Sequence, residues 1–320
     1  MTGDDRLSIL ITGGSSFTGW SFITHAAANG HLVVAPLARR PGDYQGVRAR
    51  RVRSLMSNPN VTVVEAAPAG SEALLECVHR QDRLDVVGIH HAVVGDYRSP
   101  DFDVGAAVSS ATAGADQFLA VAADRGVRGL ALTHSVFESD AGRGSDPRPI
   151  GLYGVAKRAT CEVWAEVARR RAIPVRHFTI TNPVGPMEEP RLVAHLVRTW
   201  RQGEVPRLNS PQYLRDNVAS PVLAAAYLTT LRHAADGEAG ALTPSMWRET
   251  NIDFARRVAT QFGLRWGSAL QVGAEAVPSV DEPSERVGLD PVDFSDDGAE
   301  SRFWDAYADF YRPDESTTGR

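Results

Sequence analysis

Two residues four apart, Tyr153 and Lys157 in Tyr153-Gly154-Val155-Ala156-Lys157, carry the clearest chemistry in the chain. On a helix that spacing sets a phenol and an ammonium on one side, about one turn apart. The residues that follow support the helix. Ala156, Thr160, Val163, Trp164, Val167 and Ala168 recur at three-to-four spacing, and no Pro or Gly intervenes before Arg171. A cation beside a phenol stabilises the phenolate and draws its pKa down from ~10. Such a tyrosine can pass a proton to or from a hydroxyl or carbonyl. The spacing alone also describes two solvated side chains on a surface helix, so other elements must set the pair beside a ligand.

The N-terminal third supplies such elements. Residues 7–11 are an apolar run suited to a buried parallel strand. They lead into Thr12-Gly13-Gly14-Ser15-Ser16-Phe17-Thr18-Gly19, a helical pattern ending at Asn29-Gly30, and a second strand over 31–37. Between a strand and a helix, glycines let the backbone approach a pyrophosphate, and the helix N-terminus offers N–H groups and partial positive charge. Gly13, Ser15, Ser16, Phe17, Thr18 and Gly19 are therefore cofactor-binding candidates. An NAD-type site places an acidic residue after the second strand to hold the ribose 2′-hydroxyl. Here no acidic residue lies between Asp5 and Asp43, and Arg39-Arg40 stands at that strand's end. Guanidinium groups pair with phosphate, so the expected cofactor is NADP(H), with NAD(H) as the alternative.

Further strands are read at 61–64 and 84–89, the second ending in His90-His91-Ala92. No third ligand at metal spacing accompanies the two histidines, so no metal is expected, and His91 and Ala92 are taken as cofactor-adjacent. Arg48, Arg50, Arg51 and Arg53 read as the wet face of a short helix within 45–58. Residues 105–125 read as one helix. A fifth strand over 127–132 runs into Thr133-His134-Ser135-Val136-Phe137, and a sixth over 173–181 ends at Asn182. This alternation predicts an α/β fold, a Rossmann-like doubly wound parallel sheet with ligands at the carboxyl ends of its strands. Thr12, Arg39, His91, Thr133 and Asn182 all fall at strand ends.

After Pro186 the alternation weakens into helices over 191–201, 221–232 and 250–262, the last stopped by Gly263. An acidic loop over 281–297 and an aromatic helix over 301–311 follow, with Trp304, Tyr307, Phe310 and Tyr311 as a docking face. The expected organisation is an NADP(H)-binding domain over 1–182, a smaller substrate lobe over 183–312 that can exchange segments with it, and a disordered tail over 313–320. A net charge of −5 gives no global attraction to nucleic acid or an anionic membrane. The two cysteines, Cys77 and Cys161, have no metal spacing and suggest reduced thiols. No basic-then-apolar leader and no apolar run near ~18 residues occurs, so a soluble cytoplasmic protein is expected.

Together these motifs resemble the extended short-chain dehydrogenase/reductase family, in its nucleotide-sugar epimerase/dehydratase branch, over about residues 7–311. The glycine turn is similar to T-G-x-x-G-[FY]-[ILV]-G, Thr133 to Phe137 resembles [ST]-x-x-V-Y, and Tyr153 and Lys157 match Y-x-x-x-K. Asn182-Pro183-Val184-Gly185 and Arg215-Asp216 look like the segments that hold a substrate diphosphate in relatives. The resemblance implies a catalytic Thr133, Tyr153 and Lys157, with Tyr153 and Lys157 also touching the cofactor. It implies substrate contacts at Ser135, Asn182, Arg215 and Arg286, and a possible helix-mediated homodimer. Ser16, Ala67 and Ala111 depart from the pattern, standing for a turn glycine, an adenine-side Asp and a common Asn. His134-Ser135 replaces the Asp-Glu of the 4,6-dehydratases, which argues against dehydration. The implied activity is a 4-ketoreductase acting on a sugar nucleotide. An epimerase that retains its cofactor is the alternative, and a non-catalytic dinucleotide sensor is a reading from another class.

Overall fold

In the computed structural model, residues 6–97, 99–138, 148–275 and 285–312 are described. The chain alternates as expected up to Asn182. The elements are β1 (Ser8–Ile11), α1 (Phe17–Ala28), β2 (Leu32–Pro36), α2 (Gly46–Met56), β3 (Val61–Val64), α3 (Glu72–His79) and β4 (Val86–Ile89). Then come α4 (Val104–Thr112), α5 (Ala115–Asp124), β5 (Gly129–Ser135), α6 (Gly151–Arg170), β6 (Val175–Ile180) and β7 (Asn182–Val184). The expected single helix over 105–125 is two helices. Gly114, at φ +65, breaks the run, and a Cβ there would stand 3.0 Å from Gly70.

The second half supplies α7 (Leu192–Arg201), β8 (Arg207–Leu208), β9 (Leu214–Ala219), α8 (Ser220–Ala235) and β10 (Gly240–Leu242). It continues through β11 (Pro244–Ser245), β12 (Trp247–Thr250), α9 (Asn251–Trp266), β13 (Gly273–Ala274), β14 (Glu285–Arg286), β15 (Asp290–Pro291) and α10 (Ala299–Phe310). Gly263 lies inside α9, packed against Ser268 O, and Gly267 in the left-handed region ends that helix instead. The acidic stretch is not all loop, because β14 and β15 fall within it. The tail over 313–320 lies outside the described residues.

The central sheet runs β10-β6-β5-β4-β1-β2-β3, with every neighbouring pair parallel. Parallel strands are covered on both faces, which is why these segments read as apolar runs rather than alternating ones. Ile9, Leu10, Ile11, Val86, Val87, Leu130, Ala131 and Leu132 are fully buried. One face carries α1 and α8, and the other carries α3, α5 and α6. The seventh strand, β10, comes from beyond residue 182. So does α8, which packs on α1 and β5. The chain therefore returns from the second half to complete the sheet. The rest of the second half comprises a small sheet, β12-β9-β14 with β7 on β9, the pairs β11-β15 and β13-β8, and helices α7, α9 and the aromatic α10. Phe303, Trp304 and Tyr307 of α10 are buried, whereas Phe310 of the expected docking face is half-buried.

Candidate active site

The glycine turn sits where β1 ends. Gly13 has φ +76, and a Cβ there would stand 3.1 Å from the His91 backbone. At Gly19 a Cβ would meet Gly13 O at 2.4 Å. Both positions need glycine because backbone passes against backbone. Ser16 has φ −73, which any residue adopts, so the substituted glycine is tolerated. It caps α1: its Oγ accepts from Gly19 N at 3.1 Å and donates to Gly13 O at 2.9 Å. With that hydrogen spent, His90 Nε2–H is the donor to Ser16 Oγ (3.1 Å) and Thr18 Oγ1 (2.9 Å). Burial, then Lys157 and His91, push His90 down to about 3, so the ring is neutral. Phe17 and Thr18 are buried, and Ser15 is half-buried with its carbonyl taken by Arg51 at 3.1 Å.

Arg51 is a correction. Expected on the wet face of α2, it is fully buried. It donates to Met187 O, Ser15 O and Glu189 Oε1, so it joins the glycine turn to the loop beyond β7. A buried guanidinium persists only when its donors are met this fully. Arg39 and Arg40 are exposed at the end of β2.

His91 is locked in place. The Ala111 carbonyl can only accept, so Nε2–H donates to it at 2.8 Å and Nδ1 accepts from the Thr12 hydroxyl at 2.9 Å. Burial lowers His91 to about 4, against the Ala111 hydrogen bond, which raises it. Neither ring nitrogen is left for a ligand. Ala92 follows, half-buried. Ala67, in the position of the family's Asp, donates its own N–H to Leu37 O at 2.7 Å.

Tyr153 lies in an aromatic cup, with ring centroids of Tyr97, Phe102 and Phe137 at 6.1, 6.1 and 5.9 Å. Gly154 lets α6 come close, since a Cβ there would meet Phe137 O at 2.1 Å. Lys157 is 5% exposed and its Nζ has no hydrogen-bond partner among the described residues. Burial lowers its pKa, but Cys161, Glu138 and Tyr153 outweigh that and raise it. Tyr153 departs from expectation. Burial raises its pKa, Lys157 only partly offsets this, and the phenol stays protonated above its ordinary range. That state suits an acid waiting to donate. Thr133 is 2% exposed, with its hydroxyl 3.5 Å from Tyr227 Oη. Ser135, two residues further along the same face of β5, is half-buried and its Oγ accepts from Phe137 N at 3.3 Å.

The other three substrate candidates lie on the small sheet. Asn182 pairs in register with Asn217, and its Nδ2 donates to Asn217 Oδ1 at 2.5 Å. Arg215 and Arg286 are register partners on β9 and β14. Arg215 stacks on Tyr213 at 4.8 Å, and Arg286 stacks on Phe137 at 4.6 Å, beside the Tyr153 cup. A cavity of 410 Å³ opens near the turn into β9, lined by Leu192, His195, Arg207, Leu208, Asn209, Ser210 and Asn251. Tyr153 and Lys157 do not line it.

One cluster escaped the sequence reading. His134, Glu138 and Cys161 bring one potential ligand atom each within 4.8 Å of one another. Such a set can hold a divalent ion. Here His134 Nδ1–H is spent on Glu138 Oε2 at 2.7 Å, and the Lys157 ammonium acts on the same groups, which disfavours a further cation. His134 Nε2 lies 2.8 Å from His177 Nδ1. The His134-x-x-x-Glu138 spacing was visible, but its partner on β6 was not. Cys77 and Cys161 are both buried free thiols.

A dinucleotide-type turn, a half-buried tyrosine one turn from a buried lysine, and the paired arginines Arg39 and Arg40 stand at the carboxyl edge of a parallel, Rossmann-type sheet. The chain belongs to the NAD dependent epimerase/dehydratase family, whose model matches residues 9–242. Its fold is similar to that of UDP-glucuronic acid 4-epimerase from Bacillus cereus, at 16% identity over 95% of this chain and 99% of that one, with a TM-score of 0.72. UDP-glucose 4-epimerase from Thermotoga maritima is 16% identical over 95% and 98%, with a TM-score of 0.70. The dTDP-glucose 4,6-dehydratase DesIV from Streptomyces venezuelae is 18% identical over 95% and 97%, with a TM-score of 0.66. No curated protein sequence matches the chain. Among the described residues no helix is long and apolar enough to cross a membrane.

Proposed function

We propose that the protein is an NADP(H)-dependent reductase of a keto-sugar nucleotide. The carrying observation is Lys157, a buried ammonium with no hydrogen-bond partner among the described residues, one turn from Tyr153. A buried cation left unsatisfied is costly unless a ligand completes it, and ribose hydroxyls are suitable acceptors. The close backbone at Gly13 and Gly19 would receive the pyrophosphate, beside the α1 N-terminus. Exposed Arg39 and Arg40 would meet the 2′-phosphate. When bound, the cofactor supplies a hydride.

Tyr153 donates its proton to the substrate carbonyl, and Lys157 stabilises the phenolate left behind. Thr133 orients the carbonyl oxygen, with Ser135 beyond it on β5. Asn182, Arg215 and Arg286 hold the substrate diphosphate, and the cavity beside β9 is sized for the nucleoside. A positioned acid of this kind contributes ~10²–10⁴-fold in rate. Exposed Leu152, Val155 and Val163 on α6 support a helix-mediated homodimer.

The test is NADPH absorbance during incubation with 4-keto-sugar nucleotides. Stoichiometric loss supports the reductase, and Tyr153→Phe should abolish it while NADPH still binds. Full turnover in that variant would sink the mechanism. The second reading is a 4-epimerase, favoured by solved relatives that are 4-epimerases and carry NAD in their structures. It predicts sugar interconversion without net NADPH loss.

A further inference from the structure

We propose that Asn217 is a positioning residue that holds the Asn182 amide toward the substrate diphosphate. The inference rests on the diphosphate role given above to Asn182, Arg215 and Arg286. Asn217 is 1% exposed and lies within β9, between two register partners, Asn182 on β7 and Trp247 on β12. Asn182 Nδ2 donates to Asn217 Oδ1 at 2.5 Å. Asn182 is half-buried, so this bond joins an interior side chain to one that reaches the surface. Two residues back, on the same side of β9, Arg215 is the register partner of Arg286. Arg286 stacks on Phe137, beside the Tyr153 cup. All three diphosphate candidates are thus fastened to one strand: Arg215 belongs to β9, Arg286 meets it through register, and Asn182 meets it through Asn217.

Hydrogen-bond accounting singles out Asn217. A side-chain amide carries two N–H donors and one carbonyl acceptor. Asn217 spends its acceptor on Asn182, while its buried Nδ2 has no hydrogen-bond partner among the described residues. The preceding residue, Asp216, shows how a structural polar group on this strand behaves. Asp216 is fully buried, and its two oxygens accept from Met246 N at 2.7 Å and Gly288 N at 2.8 Å. It ties β9 to the segments beside β12 and β14. Asn217 makes no comparable tie. A buried donor left unmet costs stability, and an apolar side chain of like shape would escape that cost.

What the Asn217 amide supplies is direction. The terminal torsion of an asparagine is broad, so an untethered Asn182 would sample many orientations. With one Asn182 N–H held on Asn217, planarity of the amide sets where the second N–H points. A donor ordered before binding holds an anion more tightly than one that must be ordered by it. Asn217 acts through Asn182 and on binding, away from the proton transfer at Tyr153. Its loss should therefore be read in affinity for the diphosphate, with NADPH binding unaffected.

Asn217→Leu keeps the size of the side chain and removes the amide. Calorimetry with UDP, dTDP, CDP, GDP and ADP first finds the nucleoside diphosphate that the wild type binds most tightly. Affinity for it should fall about tenfold in Asn217→Leu, and KM for the matching 4-keto-sugar nucleotide should rise by about as much, with KM for NADPH unchanged. In a double-mutant cycle, adding Asn217→Leu to Asn182→Ala should weaken diphosphate binding no further. If Asn217→Leu does not fold, Asn217→Ala takes its place in both measurements. Unchanged diphosphate affinity, or losses that add in the cycle, would overturn the assignment. So would a wild type that binds none of the five diphosphates, since Asn182 would then have no anion to meet. A wild type that binds one of them yet leaves NADPH untouched defeats the reductase reading alone, and the affinity comparison still decides the role of Asn217.

Discussion

Glu188 offers a quantitative check on how the second half is held to the sheet. It lies just past β7, is 6% exposed, and accepts from Tyr307 Oη at 2.7 Å and Tyr311 Oη at 2.9 Å. These bonds tether α10 and its end to the loop that also receives Arg51. Burial pushes the carboxyl up to about 7 from 4.5, and the tyrosine hydrogen bonds and Arg191 offset only part of that. A carboxyl whose folded pKa is raised stabilises the fold at low pH, where it is protonated. That contribution is lost as pH climbs from the unfolded value through the folded one. Between 4.5 and about 7 the linkage amounts to about 3 kcal/mol. Glu188→Gln keeps the shape and an acceptor for both tyrosines but cannot ionise. Relative to the variant, the wild type should therefore lose about 3 kcal/mol between pH 4.5 and pH 8. Urea denaturation of both proteins across that range measures the difference, and titrations common to both cancel. Parallel stability–pH curves would refute the idea that a buried, ionising Glu188 costs the fold at neutral pH.

Two further predictions concern the cofactor side. Replacing Arg39 and Arg40 with Asp should weaken NADPH binding by ~10–100-fold while NADH binding holds, since a hydrogen bond to a charged group is worth ~1.5–3 kcal/mol. An unchanged NADPH/NADH affinity ratio in calorimetry would reject the phosphate assignment. Gly154→Ala should destabilise the fold by ~1–3 kcal/mol, because its methyl would meet the Phe137 carbonyl at 2.1 Å and α6 must shift. That shift carries Tyr153 and Lys157 with it, so kcat should fall as well. Wild-type turnover and melting temperature in Gly154→Ala would show that the close approach does not position the pair.

Much of the fold was legible because its signals are local. Apolar runs mark strands buried on both faces, and three-to-four spacing marks α6, α7 and α8. The errors fell where a local signal was ambiguous. Gly114 was read through as helix and Gly263 as a stop, yet the first breaks a helix through its left-handed φ and the second packs inside one. The α3 segment, capped by Ser71, went unread. Arg51 looked solvated because its neighbours are, whereas its partners are the Ser15 carbonyl of the glycine turn and the Met187 carbonyl of the loop beyond β7, 136 residues away.

The sequence by itself determined the parallel sheet, the glycine turn at the end of β1, and a tyrosine and lysine on one side of α6. Each depends on periods of a few residues or on the backbone freedom of a single glycine. Only the tertiary structure decided that Ser16 caps α1 and meets His90, that Lys157 is buried without a hydrogen-bond partner among the described residues, and that His134 meets His177. Those outcomes depend on sheet register and helix docking, which bring together side chains dozens of residues apart. Strand order is set by the whole sheet packing at once, and no short window of sequence carries it.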